Sequence, residues 1–243
     1  MDKRNASVAI VGAGDFIGSA IARRFAAEGY RLHLARRDGA KLEALVAEVT
    51  ASGGTAFAHG VDARSEEAIA RFLDAANADA PLELVVFNIG ANVNFPICET
   101  TERVFRKVWE MACLAGFLTG REAARHLLAN GGGSIFFTGA TASLRGGTGY
   151  AAFAAAKFGL RAVAQSMARE LGPKNIHVAH LVIDSAVDTA WVRQRIEQAT
   201  GGEVPKERLM EPASIAETYW QLHRQPRDAW THELDLRPFG ETW

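Results

Sequence analysis

Gly12, Gly14 and Gly18 bracket Phe16 and Ile17 in a segment, Gly12-Ala13-Gly14-Asp15-Phe16-Ile17-Gly18, whose bare backbone can present N–H groups to an anion. If a helix begins there, its dipole adds partial positive charge at the same point, so the chemistry implied is phosphate binding. Arg36 and Arg37 stand side by side and offer paired guanidiniums, the donors best matched to a phosphate oxygen fork. Tyr150 and Lys157 are spaced so that, in a helix, they lie about 10.5 Å apart along the axis and only about 20° apart in azimuth. A phenol and an ammonium on one face can hydrogen-bond a substrate oxygen and hold a hydroxyl-bearing ligand. Tyr150 reads equally as the first-turn aromatic of an alanine-rich helix, where it would only pack.

These groups need a scaffold, and the sequence alternates short β-rich runs with longer helical runs, as in a parallel sheet covered by helices on both faces. Ser7 to Val11 reads as a strand buried on both sides, followed by the glycine turn and a helix from Ile17 to Gly29. Strands are expected at Arg31–Ala35, Thr55–Val61, Leu82–Asn88, Ser134–Thr138, Ile176–Ile183 and Thr231–Leu236. Helices are expected at Ala40–Ser52, Ser65–Ala78, Thr101–Ala129, Gly149–Leu171 and Ser214–His223. The stretch from Asp184 to Pro212 is polar and turn-rich. The fold class is therefore α/β: a single doubly wound Rossmann-type domain over residues 1–243. Its glycine turn lies between the first strand and first helix, where a dinucleotide's pyrophosphate sits in such folds.

Composition narrows the partners. The 243 residues are 48% hydrophobic and 23% charged, an ordinary globular make-up. With 27 basic against 28 acidic residues the formal net charge is −1, so no overall field attracts nucleic acid. No apolar run approaches the roughly 18 residues of a membrane span, and the Met1-Asp2-Lys3-Arg4-Asn5 opening leads directly into a strand pattern, giving a cytoplasmic reading. Cys98 and Cys113 are too few for a disulfide framework and lack metal-ligand spacing to any histidine, so no metal is expected.

From about Ser7 to Pro238 the chain resembles the short-chain dehydrogenase/reductase family. Gly12 and Gly18 take the first and last glycine places of that family's turn, with Phe16 at the middle one. Val61-Asp62-Ala63 is similar to its adenine-contacting segment, and Phe87-Asn88-Ile89-Gly90 to its Asn-Asn-Ala-Gly segment. Ile183-Asp184-Ser185-Ala186-Val187-Asp188-Thr189 resembles the Pro-Gly-x-Val-x-Thr segment that faces the nicotinamide carboxamide, with Asp184 and Ser185 replacing Pro-Gly. The resemblance implies a nicotinamide dinucleotide bound by Gly12, Gly14, Phe16, Ile17, Gly18, Arg36, Arg37, Asp62, Ala63, Asn88, Gly90, Lys157, Ile183, Val187 and Thr189. Gly14 is expected to return some of the backbone freedom lost at Phe16. Where an NAD-selecting chain carries an acidic residue, Arg36-Arg37 suits a 2′-phosphate, so NADP(H) is preferred and NAD(H) left open. Asp15 argues the other way.

The family's usual centre is a Tyr-x-x-x-Lys pair, an upstream Ser and an Asn on the preceding long helix. Only Lys157 survives; the other places fall on Phe153, Ala140 and Cys113. Phenylalanine has no proton to give and alanine no side-chain hydrogen bond. The spacing of Tyr150 from Lys157 is similar to that of enoyl reductases of the same superfamily, which would make Tyr150 and Lys157 the catalytic pair of a shifted centre. The expected function is NADP(H)-dependent hydride transfer to a small carbonyl or conjugated enone, with a substrate lid near residues 190–211. The alternative is a non-catalytic dinucleotide-binding protein of regulation or assembly; a structural subunit that binds no dinucleotide is the reading that Phe16 in the glycine turn would favour. A homodimer or homotetramer is expected, packed through the small residues Ala112, Ala115, Gly116, Ala151, Ala152 and Ala155 on the two long helices.

Overall fold

A computed structural model describes residues 4–202 and 205–241. Its first unit is β1 (Ser7–Val11), α1 (Ile17–Ala27) and β2 (Arg31–Arg36). A short 3₁₀ turn leads to α2 (Glu43–Ala51), then β3 (Thr55–Gly60), α3 (Glu66–Asp79) and β4 (Leu82–Phe87). Ser65 caps α3 by accepting a hydrogen bond from the Ala68 N–H, which fixes where that helix starts. The long helical run of the second half divides into α4 (Glu102–Trp109), a π turn at Glu110–Leu114 and α5 (Ala115–Asn130). Gly131 ends it in the left-handed region at φ 88°.

Then come β5 (Gly133–Thr138), α6 (Ala151–Leu171) and β6 (Ile176–Ile183). The polar stretch that reads as turns from sequence holds β7 (Ala186–Val187), α7 (Ala190–Thr200) and β8 (Leu209–Met210). Thr189 accepts from the Val192 N–H, and this cap nucleates α7 within an otherwise polar segment. The chain closes with α8 (Pro212–His223) and β9 (Glu233–Leu236).

Seven parallel strands form the main sheet in the order β3-β2-β1-β4-β5-β6-β9, while β7 and β8 pair separately. Alternation along each strand gives two cores. Val8, Ile10, Leu34, Val86 and Phe136 face Phe25 of α1 and Tyr219 of α8. Ala9, Val11, Val85, Phe87 and Phe137 face Phe72 of α3, Leu127 of α5 and Leu160 of α6. This is the single doubly wound α/β domain expected from the sequence. The strand order reverses between β1 and β4, which opens a crevice at their carboxyl ends.

The small residues expected at a partner interface are largely inside. Ala112 and Ala115 are fully buried, Ala152 nearly so, and Gly116 sits against Phe87 and Leu160. Ala115 and Gly116 let α5 pack on its own sheet, Ala112 and Ala152 join the π turn to α6, and Ala155 is exposed. What protrudes from α4, α5 and α6 is Phe105, Trp109, Phe117 and Phe158, each 40–42% exposed.

Candidate active site

At the end of β1 the chain must turn sharply beneath Asn88. Gly12 does so at φ +91°, with the backbone of Asn88 2.8 Å from where a Cβ would stand. Gly18 permits the next step, since a Cβ there would lie 2.5 Å from the Gly12 carbonyl oxygen. Together they draw the start of α1 onto the strand end. Phe16 occupies the N-cap position and supplies no capping side chain; the Ser19 N–H is taken by the Gly14 carbonyl at 2.9 Å, which leaves the N–H groups of Ile17 and Gly18 at the helix start for an anion. Gly14 departs from its expected role: its φ lies outside the left-handed region and nothing is within 4 Å of its missing Cβ. It gives room, not conformational freedom.

Two confluent cavities follow the carboxyl ends of the strands, sharing Gly12, Gly14, Asn88, Ile89 and Gly90. The first, of about 550 Å³, adds Arg36, Arg37, Asp62 and Ala63. The second, of about 420 Å³, adds Phe16, Ile17, Gly18, Lys157, Ile183, Val187 and Thr189. Every residue expected to hold a dinucleotide therefore lines one or the other.

The first cavity is lined by four cations (Arg36, Arg37, Lys41, Arg64) and two carboxylates (Asp38, Asp62). Arg36 reaches Asp15 at 3.0 Å, although Asp15 is 70% exposed. Arg37 makes no hydrogen bond or ion pair among the described residues. Asp62, expected to accept from an adenine amino group, instead takes Arg64 on both carboxylate oxygens at 2.9 and 2.6 Å. That guanidinium holds its carboxyl below the usual range.

In the second cavity Lys157 is buried, and its Nζ donates to the carbonyls of Thr138 at 2.9 Å and Ile89 at 3.1 Å. Burial pushes the ammonium down to about 8. His180, fully buried against Gly139, is pushed down to about 4, first by burial and then by the charge of Lys157, so it is neutral. Behind this floor runs a buried chain of hydrogen bonds. Thr138 Oγ1 donates to Asn88 Oδ1 at 2.9 Å and so accepts from the Tyr219 hydroxyl at 2.6 Å, while Asn88 Nδ2 donates to the Gly12 carbonyl at 3.0 Å. Phe153 and Ala140 line the cavity beside Lys157, whose Nζ is 5.8 Å from the Phe153 ring centre. Cys113 lies behind them, against Gly159, with burial pushing its thiol up.

A third cavity of about 450 Å³ shares Asn92, Ala140, Phe153 and Ile183 with the second. It holds Tyr150, and here the helical-face expectation fails. α6 begins at Ala151; Tyr150 is its N-cap at φ −104°, ψ 18°, outside the helix, so azimuths on the helix do not apply to it. Tyr150 lines the third cavity and Lys157 the second, with Phe153 between them on α6 and lining both. Asp184, which stands in place of the family's proline, is a buried ion-pair centre. Arg237 lies 2.7 Å and Arg145 3.2 Å from its carboxylate. Burial alone would raise it, but the Thr141 hydroxyl and the two arginines hold it below the usual range.

Arg145, Asn92 and Thr141 in the third cavity, and Trp191 and Val192 of α7 in the second, have no counterpart among the expected site residues. The available signal for Arg145 was that it is the only charged residue between Gly139 and Tyr150. Of the expected lid, α7 brings Trp191 and Val192 to the second cavity, while residues 203–204 lie outside the described residues.

Sheet, glycine turn and confluent cavities together define a doubly wound α/β protein with one long cleft across its switch point. A family model for the short chain dehydrogenases matches residues 6–200, and the chain belongs to that family. The 3-oxoacyl-[acyl-carrier-protein] reductase MabA of Mycobacterium bovis is 29% identical over 214 residues, spanning 86% of this chain and 82% of that protein. A crystal structure of a short-chain dehydrogenase from Rhodopseudomonas palustris is 59% identical, with a TM-score of 0.85 over 97% of this chain and 100% of that one. A metagenomic short-chain oxidoreductase in complex with NADP is 26% identical, with a TM-score of 0.82 over 98% of each chain.

Proposed function

We propose that this protein is an NADP(H)-preferring oxidoreductase that reduces a small carbonyl or conjugated enone through a non-standard centre. The observation that carries the reading is the convergence of every expected dinucleotide residue on two confluent cavities, with Lys157 in the floor of the inner one. The 26% identical relative seen with NADP supports the same cofactor class. Bound there, the dinucleotide would supply a hydride to the carbonyl carbon or the β-carbon, with the displaced π pair moving to oxygen and a proton from solvent going to that oxygen or, for the enone, to the α-carbon.

This chain's residues do the rest. The glycine turn and the start of α1 hold the pyrophosphate, and Arg36 with Arg37 takes the 2′-phosphate. Lys157 exchanges a backbone carbonyl partner for the nicotinamide ribose hydroxyls, while Ile183, Val187 and Thr189 border the carboxamide. Phe153 and Ala140 stand where the family carries Tyr and Ser, and neither can polarise a substrate oxygen. Tyr150, half-buried and with no hydrogen bond on its hydroxyl among the described residues, is the donor for that oxygen, placed where negative charge develops. The segment 190–211 forms the lid of the single domain. Phe105, Trp109, Phe117 and Phe158 form the contact of a homo-oligomer, and two free thiols, Cys98 and Cys113, fit a reducing cytoplasm.

The test is a cofactor titration followed by turnover with ketones, aldehydes and enones. Tyr150→Phe is expected to lower turnover about 10²–10³-fold with cofactor affinity intact, whereas Lys157→Ala weakens both. Full activity in Tyr150→Phe overturns its role. Binding without any oxidation of NADPH favours the regulatory or assembly protein that the missing hydroxyls allow, and no binding of either cofactor overturns the reading entirely.

A further inference from the structure

Among the residues that line the third cavity, Arg145 alone is charged, and we infer that it selects a substrate bearing a carboxylate. The inference rests on the reading above, which makes the third cavity the continuation of the reaction site. Asn92, Ala140, Phe153 and Ile183 belong to both cavities, so a molecule reacting beside Phe153 extends directly toward Arg145.

Arg145 is held, yet not used up. Its N–H donates to the Thr141 carbonyl at 3.1 Å, fixing the backbone, and Asp184 steadies the guanidinium from behind at 3.2 and 3.4 Å. Those distances are longer than the roughly 2.7–2.9 Å of a strong charge-assisted bond. Asp184 keeps its shorter bond, 2.7 Å, for Arg237, which is only 14% exposed, so the buried carboxylate is already compensated. Arg145 is left 58% exposed, with donors beyond the two spent on Asp184 and a residual positive charge. A guanidinium fork matches a carboxylate bidentately.

The rest of the lining sets the other half of the molecule. Ala140, Ala142, Phe153 and Ile183 are apolar and Tyr150 adds an aromatic ring, while Asn92, Thr141 and Ser185 give the wall uncharged hydrogen-bonding edges, so a short carbon skeleton lies between the charge and the reacting centre. One cation backed by one carboxylate suits a monoanion better than a phosphate dianion, which gathers several cations. The substrate class is therefore a small oxo acid or an enoic acid whose carboxylate lies at the far end from the hydride acceptor.

The experiment compares each of several oxo and enoic acids with its own methyl ester at constant ionic strength, for the unaltered protein, Arg145→Gln and Arg145→Lys. The expected result is an acid-over-ester ratio in kcat/KM of about tenfold or more, carried by KM, because charged hydrogen bonds of this kind are worth roughly that factor or above. The ratio falls to near unity in Arg145→Gln and is partly kept in Arg145→Lys. An ester favoured equally or more by the unaltered protein, or a ratio unmoved in Arg145→Gln, overturns the inference while leaving the oxidoreductase reading in place. If no compound is reduced, that reading fails, and calorimetric titration of the same acids and esters decides the inference by itself. Acid binding that Arg145→Gln abolishes sustains it, and no binding of any acid overturns it. Unchanged thermal midpoints in the variants establish that they fold.

Discussion

Replacing Arg36 and Arg37 together by alanine should erase the preference for NADPH over NADH. Arg36 starts in competition, since its guanidinium already meets Asp15 at 3.0 Å. That pair is weak: Asp15 is 70% exposed, and exposed ion pairs contribute about 0–1 kcal/mol. A 2′-phosphate offers a charge near −2 and several acceptor oxygens, with each charged hydrogen bond worth about 1.5–3 kcal/mol. The phosphate therefore displaces or shares Asp15 rather than losing to it. Arg37 is exposed and screened, so the low end of the range applies, giving about 3 kcal/mol from the two arginines, or roughly a hundredfold in affinity.

Three proteins at two salt concentrations, titrated with both cofactors by calorimetry, check this. The unaltered protein should bind NADPH roughly a hundredfold more tightly than NADH, and the ratio should shrink as salt rises. The double alanine variant should bind both alike. Asp15→Asn should tighten NADPH by no more than about fivefold, the worth of one exposed pair, and leave NADH unmoved. Equal affinities in the unaltered protein, or a preference that survives loss of both arginines, would refute the assignment of this end of the cleft to a phosphate.

Gly18→Ala should lower stability by about 1–3 kcal/mol and weaken cofactor binding, because the new Cβ meets the Gly12 carbonyl and must push α1 off β1; an unchanged urea midpoint would count against that close approach. Asp184→Asn should cost about 1.5–3 kcal/mol at neutral pH by weakening its charged bonds to Arg237 and Arg145, with Arg237 keeping Asp235 at 2.9 Å. Since the folded Asp184 carboxyl titrates below its ordinary 3.8, that stabilisation is present above 3.8 and is lost as pH falls through the folded value, so the two proteins' stabilities should converge only in acid. Lys157 moves from an ordinary 10.5 down to about 8 on folding, so its charged form opposes folding fully below pH 8 and not at all above 10.5. Cofactor-free protein should gain stability relative to Lys157→Met between those values, and parallel pH profiles would refute it.

What the sequence made legible is what depends on near neighbours. β1 reads as an almost continuous apolar run, and both β1 and β6 carry the bounds expected for them, each strand being covered on both faces. The glycine turn was readable from position alone. Cap geometry was not: Gly149 at φ +78° turns the chain just before α6, leaving Tyr150 outside a helix whose periodicity seemed to include it. The partners of Asp184 were equally hidden, since Arg145 and Arg237 lie far from it in sequence on different segments. α7 escaped because a polar helix with one capping threonine resembles a turn-rich loop residue by residue.

One hydrogen-bonded frame holds the strand ends around the cleft. Neither the Ala140 nor the Phe153 side chain is among the hydrogen-bonding groups that fix those strand ends. Tyr219 on α8, Thr138 on β5 and Asn88 after β4 pass hydrogen bonds through the sheet to the Gly12 carbonyl, tying three strand ends into one frame. Lys157 joins the same frame through the carbonyls of Thr138 and Ile89. Phe153 takes no part in it; its ring belongs to the apolar cluster of Val108, Ala112, Cys113 and Ala156 and borders both the second and third cavities. Tyr150 and Arg145 stand beyond that frame in the third cavity, which meets the second, where Lys157 lies, at Asn92, Ala140, Phe153 and Ile183.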